Sequence, residues 1–211
     1  MQNDDWGSRD FEARTEELYQ RTEELYNIND LYPDDNGLIE APMMPLRGMV
    51  VFPQMVSPLL IGREKTLWAI QEARSQNQTL LAFVQRDPRL EQPGADDFYP
   101  IGVEIAVGEL VNVPEGANSA LAQARRRVEL VEVTQTDPYL YARARPIFED
   151  YQMDRRTEAT MRSVLDLFKR CIDINRRYPE DAYLYASNIE APGILADLVT
   201  TVLSPDMEVL V

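Results

Sequence analysis

The side chains that most often carry out chemistry are scarce in this chain. It has no histidine, one cysteine and, among 21 basic residues, two lysines, Lys65 and Lys169. Without histidine, imidazole activation of a nucleophile and histidine metal sites are excluded. Cys171 alone cannot form an intramolecular disulfide, nor a zinc site in a histidine-free chain. It falls on the apolar stripe of a helix, where a buried structural thiol is expected. A phosphate-binding loop needs Gly-Lys-Ser/Thr, so that backbone amides and a lysine hold the phosphates. Neither lysine follows a glycine. A Ser-Lys dyad needs a desolvated lysine beside the serine, but Ser163 and Lys169 are six positions apart and face different ways on a helix. Asp96 with Asp97 and Glu180 with Asp181 could hold a cation or exchange protons, yet their turn-rich or helix-start settings read as solvated carboxylates. No catalytic residue, cofactor site or metal site is assigned.

The remaining candidates bind rather than react. Met43, Met44, Met49 and Met55 cluster with Phe52 in one short stretch. Methionine is unbranched and polarisable, suited to gripping varied apolar segments. One reading is core packing. The other is a partly exposed patch made of Met49, Phe52, Pro53, Met55 and Pro58. Arg125, Arg126 and Arg127 are three adjacent cations; on a strand two face one way and one the other.

Several elements must position these residues. Pro45 and Pro53 bracket Leu46 to Phe52, an apolar run expected to be a strand. Val56 to Ile61 is a second strand, with Pro58 implying an edge or a bulge. Gly62 breaks the chain before a helix with a stripe of Glu64, Leu67, Trp68, Ile70, Gln71 and Ala73. Thr79 to Val84 is a third strand. Phe98 to Val113 predicts one or two bent strands with Gly102 and Gly108 at bulges. Ser119 to Thr134 is divided: SALAQARRR favours helix by propensity, whereas VELVEV alternates like a strand. Tyr139 to Arg145 alternates as a half-buried strand. Residues 154 to 177 predict a long helix with Met161, Val164, Leu165, Phe168, Cys171 and Ile172 on one face. A short helix over Glu180 to Ser187 and another opening at Pro192 follow, and the apolar ending MEVLV reads as a truncation inside a helical subdomain.

Three regions result: an acidic arm over 1–41, a strand-rich domain over 42–150 and a helical subdomain over 151–211. The net charge is -15. The first 41 residues carry twelve acids against three arginines, so much of the acidity belongs to the arm. A chain this acidic is a poor binder of nucleic acid or anionic membrane. No apolar run reaches transmembrane length, and the polar, acidic start is no signal sequence, which points to the cytoplasm. Within the arm, RTEELY occurs at 14–19 and again at 21–26. Phe11, Leu18, Leu25 and Tyr32 keep that seven-residue spacing on one helical seam. The seam could dock on its own domain, self-associate, or belong to a solvated arm.

The stretch PLRGMVVFPQMVSPLLIGREKTLWAIQEA, residues 45 to 73, resembles the start of the N-terminal domain of the ATP-dependent protease Lon. Further anchors follow in order. Phe83 to Asp87 is similar to the family's Val-Ala-Gln-Arg/Lys segment. Asp97, Phe98, Tyr99, Ile101, Gly102 and Val103 resemble its Asp-Leu-Tyr-x-x-Gly-Val. Pro138, Tyr139, Ala142 and Ala144 match its late strand, and Asn188, Ile189, Pro192, Leu195, Ala196 and Asp197 its last helix entry. The resemblance spans about 42 to 205 and departs at Gln123 and Ala124, where the family often has Glu-Gly. It implies an α+β fold, a PUA-like mixed sheet or barrel with one packed helix followed by a helical subdomain, and a hairpin near Ser119. It also implies a non-catalytic role. The region would recognise unfolded, damaged or tagged protein substrates and assist hexamer assembly, with AAA+ and protease domains downstream in the same chain. The alternative is a stand-alone adaptor or scaffold that binds partners through the N-terminal helix. An Arg cluster on a PUA-like fold raises RNA binding, against which the acidic charge argues.

Overall fold

The computed structural model describes residues 22–112, 118–175, 178–179 and 181–203. The chain forms two compact units, residues 1–146 and 147–211. Each has its own apolar core.

The first unit is built on seven strands, β1 (Ile39–Leu46), β2 (Val56–Ile61), β3 (Leu80–Gln85), β4 (Phe98–Val107), β5 (Val111–Asn112), β6 (Asn118–Gln135) and β7 (Leu140–Pro146). Helix α1 (Glu64–Ser75) lies between β2 and β3 in the sequence. The strand order is β2-β6-β4-β3-β1-β7, and a further β6–β7 pairing closes five of them into a barrel. The length of β6 makes closure possible. Its first part pairs with β2 and β5, its middle with β4 and its end with β7. Closure leaves no open edge in the barrel itself. Strand β2 stays outside the ring, bonded to β6 alone. The α+β barrel expected from the resemblance is therefore the fold observed.

Ser119 to Arg127 is strand throughout. Ala120, Ala122, Ala124 and Val128 are buried. Small side chains facing a crowded interior outweigh the helix preference of alanine. Gly102 shows how tight the packing is. A Cβ there would lie 2.4 Å from the Ala82 carbonyl oxygen and 2.5 Å from the Phe83 ring. Expected strand Leu46 to Phe52 is not one: the strand is β1, which runs through Pro42 and Pro45. Strand β7 pairs with residues 39–43 of β1 and β3 with residues 43–46. Each proline thus sits where β1 has a single neighbour and can turn its missing donor to the open side. Residues 47–55 form a loop, turned at Gly48 (φ 63) and Gln54 (φ 64). Helix α1 buries Ile70 and Ala73 of the expected stripe together with Thr66 and Ala69, while Trp68 is 38% exposed.

Part of the stretch read as an arm is built into this unit. Residues 22–26 are helical, and Leu25, Ile28 and Leu31 are buried. Leu25 and Ile28 pack on Ala106 and Leu121. Phe11 and Leu18 lie outside the described residues, and the seam does not reach Tyr32, which is non-helical and exposed. The Glu104 carboxylate, fully buried, accepts from Leu31 N at 2.7 Å, Thr79 Oγ1 at 2.5 Å and Arg126 Nε at 2.7 Å. Arg126 and Arg125 also donate to the Leu31 and Leu25 carbonyls, each at 2.6 Å. Arg125 Nε lies 3.0 Å from Asp30 Oδ1 without a hydrogen bond, so that contact is purely coulombic. A bulge opposite Glu104 explains why two neighbouring arginines reach the same segment.

The second unit is helical: α2 (Arg155–Ile174), α3 (Ala182–Ser187) and α4 (Pro192–Leu203). Asp154 caps α2, its carboxylate accepting from Thr157 N at 2.7 Å. Phe168, Ile172, Ala182, Ala186 and Leu195 form the core. Cys171 is exposed, contrary to expectation. The buried stripe of α2 narrows to Phe168 and Ile172, and a neighbour of Ile172 is turned about 100° away. The ending MEVLV lies outside the described residues.

Candidate functional site

The five residues read as a binding patch fall on one loop and the edge strand that follows it. Backbone bonds fix the loop: Gln54 N donates to Ala124 O at 2.7 Å, and Ala124 N donates to Met55 O at 3.2 Å. Met55 N donates to Phe52 O at 3.3 Å, closing the turn around Pro53. Stapled to β6 this way, the loop leaves Met49, Phe52, Pro53 and Met55 half-buried. Val51 points inward and is 4% exposed. Met43 and Met44, by contrast, are core residues of β1.

Strand β2 continues the surface. Leu59 and Ile61 are buried, while Pro58 is exposed opposite Leu121 of β6. Leu60 is 79% exposed and Val56 39%. These two were not singled out from the sequence. The signal was present as period-two alternation, but the run Leu59-Leu60-Ile61 is apolar on both faces and hides it.

Beside this surface a pocket of about 210 Å³ opens between the ends of β1 and β2 and the start of α1. Met44, Pro45, Met49 and Leu60 give it apolar walls, and Arg47 and Arg63 supply its charge. Of the expected patch, Met49 alone lines it. Arg63 donates to the Leu90 carbonyl at 2.7 Å and to Gln85 Oε1 at 3.4 Å. Burial holds its guanidinium below the usual arginine value, and the positive charge of Arg47 adds to that, opposed by Glu91. Arg127 stands 6.0 Å over the Phe52 ring. Arg125 and Arg126 are occupied by the 25–31 segment and do not form a free basic patch.

No group of carboxylates and thiols that could hold a metal occurs among the described residues. Among them, too, no helix is long and apolar enough to cross a membrane. The surface is one for contact: a fixed apolar ridge, an open strand edge and a small cationic pocket.

Residues 40–210 match the family model of the ATP-dependent protease La (LON) substrate-binding domain. Lon protease 2 of Herpetosiphon aurantiacus is 34% identical over 169 residues, covering 80% of this chain and 21% of that protein. The Lon protease of Dictyoglomus thermophilum is 34% identical over 158 residues, covering 75% and 20%. The chain thus spans about a fifth of the length of these relatives. The solved N-terminal domain of the Mycobacterium avium complex Lon protease shares the fold, with a TM-score of 0.59 over 75% of this chain and 80% of that one, at 19% identity. The ordered sequence anchors, the closed barrel with its helical unit and the family match over residues 40–210 lead to one assignment: the chain belongs to the Lon substrate-binding domain family.

Proposed function

We propose that this chain is the non-catalytic N-terminal region of a cytoplasmic, Lon-type ATP-dependent protease. It grips unfolded, damaged or tagged protein segments, while ATP hydrolysis and peptide cleavage belong to AAA+ and protease domains elsewhere in the parent protein. The gripping surface comprises Met49, Phe52, Pro53, Met55 and Pro58, extended by Val56 and Leu60. One observation carries this reading: a backbone-stapled loop holds four apolar side chains half-exposed next to an unpaired strand edge. A rigid apolar ridge suits segments that have lost their own fold, since it asks for apolar surface rather than a particular sequence. The same region assists hexamer assembly in the parent protein.

An adaptor acting through the N-terminal helix is the weaker reading. Leu25 of that seam, with Ile28 close by, is buried in this chain's own β unit, so neither is available to a partner. The test is binding of one protein in native and in urea-unfolded form to the wild type and to Phe52→Ser/Met55→Ser. The unfolded form should bind selectively. Each lost apolar contact contributes about 1 kcal/mol, so the double variant should bind at least tenfold more weakly while its circular dichroism stays unchanged. Undiminished binding by a folded double variant would overturn the proposal.

A further inference from the structure

We infer that the pocket at the ends of β1 and β2 selects segments in which an acidic side chain lies two residues from the apolar residue that fills it, with Arg47 and Arg63 as its partners. The inference rests on the function proposed above and narrows the class of segment bound.

In a chain with 36 acids and 21 basic residues, arginines readily find carboxylates. Arg74, Arg89, Arg126, Arg143 and Arg145 each have one within reach. Arg47 and Arg63 have no ion pair among the described residues, although they share one small pocket. The donors of Arg63 go to uncharged oxygens, those of Leu90 and Gln85. Such bonds hold the guanidinium in place without an ion pair, and Glu91 acts on its charge only from beyond ion-pair distance. Arg47, just past the end of β1, is exposed. Two cations at one site repel each other: burial is the main reason the Arg63 value is lowered, and repulsion from Arg47 adds to it. A carboxylate entering between them relieves that repulsion and gains charge-assisted hydrogen bonds.

The remaining walls, Met44, Met49, Leu59 and Leu60, are apolar and accept one aliphatic or aromatic side chain. An extended segment running along β2 turns alternate side chains to the same face, so the side chain two residues along, about 6.6 Å away, faces the same pocket. That is close enough for both features to be read by a pocket of this size. Polyanions are not the favoured occupant, because the molecule as a whole carries -15 and repels them.

The test uses the whole chain and three C-terminally amidated fluorescent peptides, identical except for one position two residues from a phenylalanine: Glu, Gln or Lys. Amidation makes the side chain the source of the carboxylate. The Glu peptide should bind about tenfold tighter than the Gln peptide, and the Lys peptide weakest, the contrast shrinking as salt rises. Arg47→Gln should narrow the contrast between the Glu and Gln peptides severalfold, Arg63 holding the remainder, and an undiminished contrast in that variant overturns the inference. Equal binding of all three peptides to the wild type overturns this inference and leaves apolar gripping intact. Binding of none of them overturns both.

Discussion

Glu104 has no exposed surface, yet it holds a carboxylate inside the barrel unit. Isolated, such a charge would cost several kcal/mol in lost hydration. Here three donors surround it, one from the 25–31 segment, one from the residue before β3 and one from β6. Its neutralisation therefore falls on Arg126. In Glu104→Gln the amide oxygen still accepts from Leu31 and Thr79, but Arg126, 26% exposed, meets an NH2 donor and keeps a charge with its closest counter-charge gone. Glu104→Gln is expected to destabilise the chain by about 3 kcal/mol in urea unfolding. The double variant Glu104→Gln/Arg126→Met should cost less than the two single variants together, because the orphaned cation is gone as well. Additive costs would mean that the pair is not coupled and that some other contact secures the N-terminal segment.

Asp154 sets where α2 begins, and it ties that helix to pH. The Thr157 amide bond holds its carboxyl below the usual 3.8, Thr157's side chain and the Arg156 amide help, and burial works the other way. A depressed folded value means that the stabilisation is complete above 3.8 and fades as pH falls through the lower folded value. The Thr157 amide resonance should accordingly titrate below pH 3.8 in the wild type and lose that step in Asp154→Ala. A step at the ordinary carboxylate value would show the cap to be unformed in solution. Elements with sharp local punctuation, such as this one, were legible in the sequence. Strand β2, helix α1 after Gly62, strand β7 and the helix opening at Pro192 all announce themselves through glycine, proline or strict alternation. Strand β1 did not, because Pro42 and Pro45 look like boundaries until one knows that each meets a single neighbouring strand. The first half of β6 was undecidable locally, since alanine prefers helix and only burial against distant strands reverses that preference. The candidate surface was half legible. Its apolar loop could be read from methionine, proline and phenylalanine, but Arg47 and Arg63 could not. Whether an arginine is neutralised depends on partners far away in the chain, as Arg126 shows by meeting the buried Glu104 from 22 positions away.

The division into residues 1–146 and 147–211 has a consequence that the fold makes testable. Every strand pairing of the barrel lies before residue 147, including the β6–β7 pairing that closes it. Cutting after Pro146 therefore breaks no ladder and removes none of the residues in the main barrel core, which runs from Leu31 to Ala144. At 146 residues the fragment has the size of an ordinary domain, large enough to bury a sufficient core of its own. The fragment 1–146 should unfold in one cooperative transition and give dispersed methyl resonances for Leu81, Val128 and Leu140 that overlay those of the whole chain. It should also keep the selectivity for unfolded protein, since Met49 to Pro58, Arg47 and Arg63 all lie within it. A collapsed, poorly dispersed spectrum would mean that the barrel depends on the helical unit for its fold. A well-folded fragment that no longer distinguishes unfolded from native protein would move substrate gripping onto residues after 146, where Phe148, Leu167, Ile174, Leu184 and Tyr185 are among the exposed apolar side chains to substitute next.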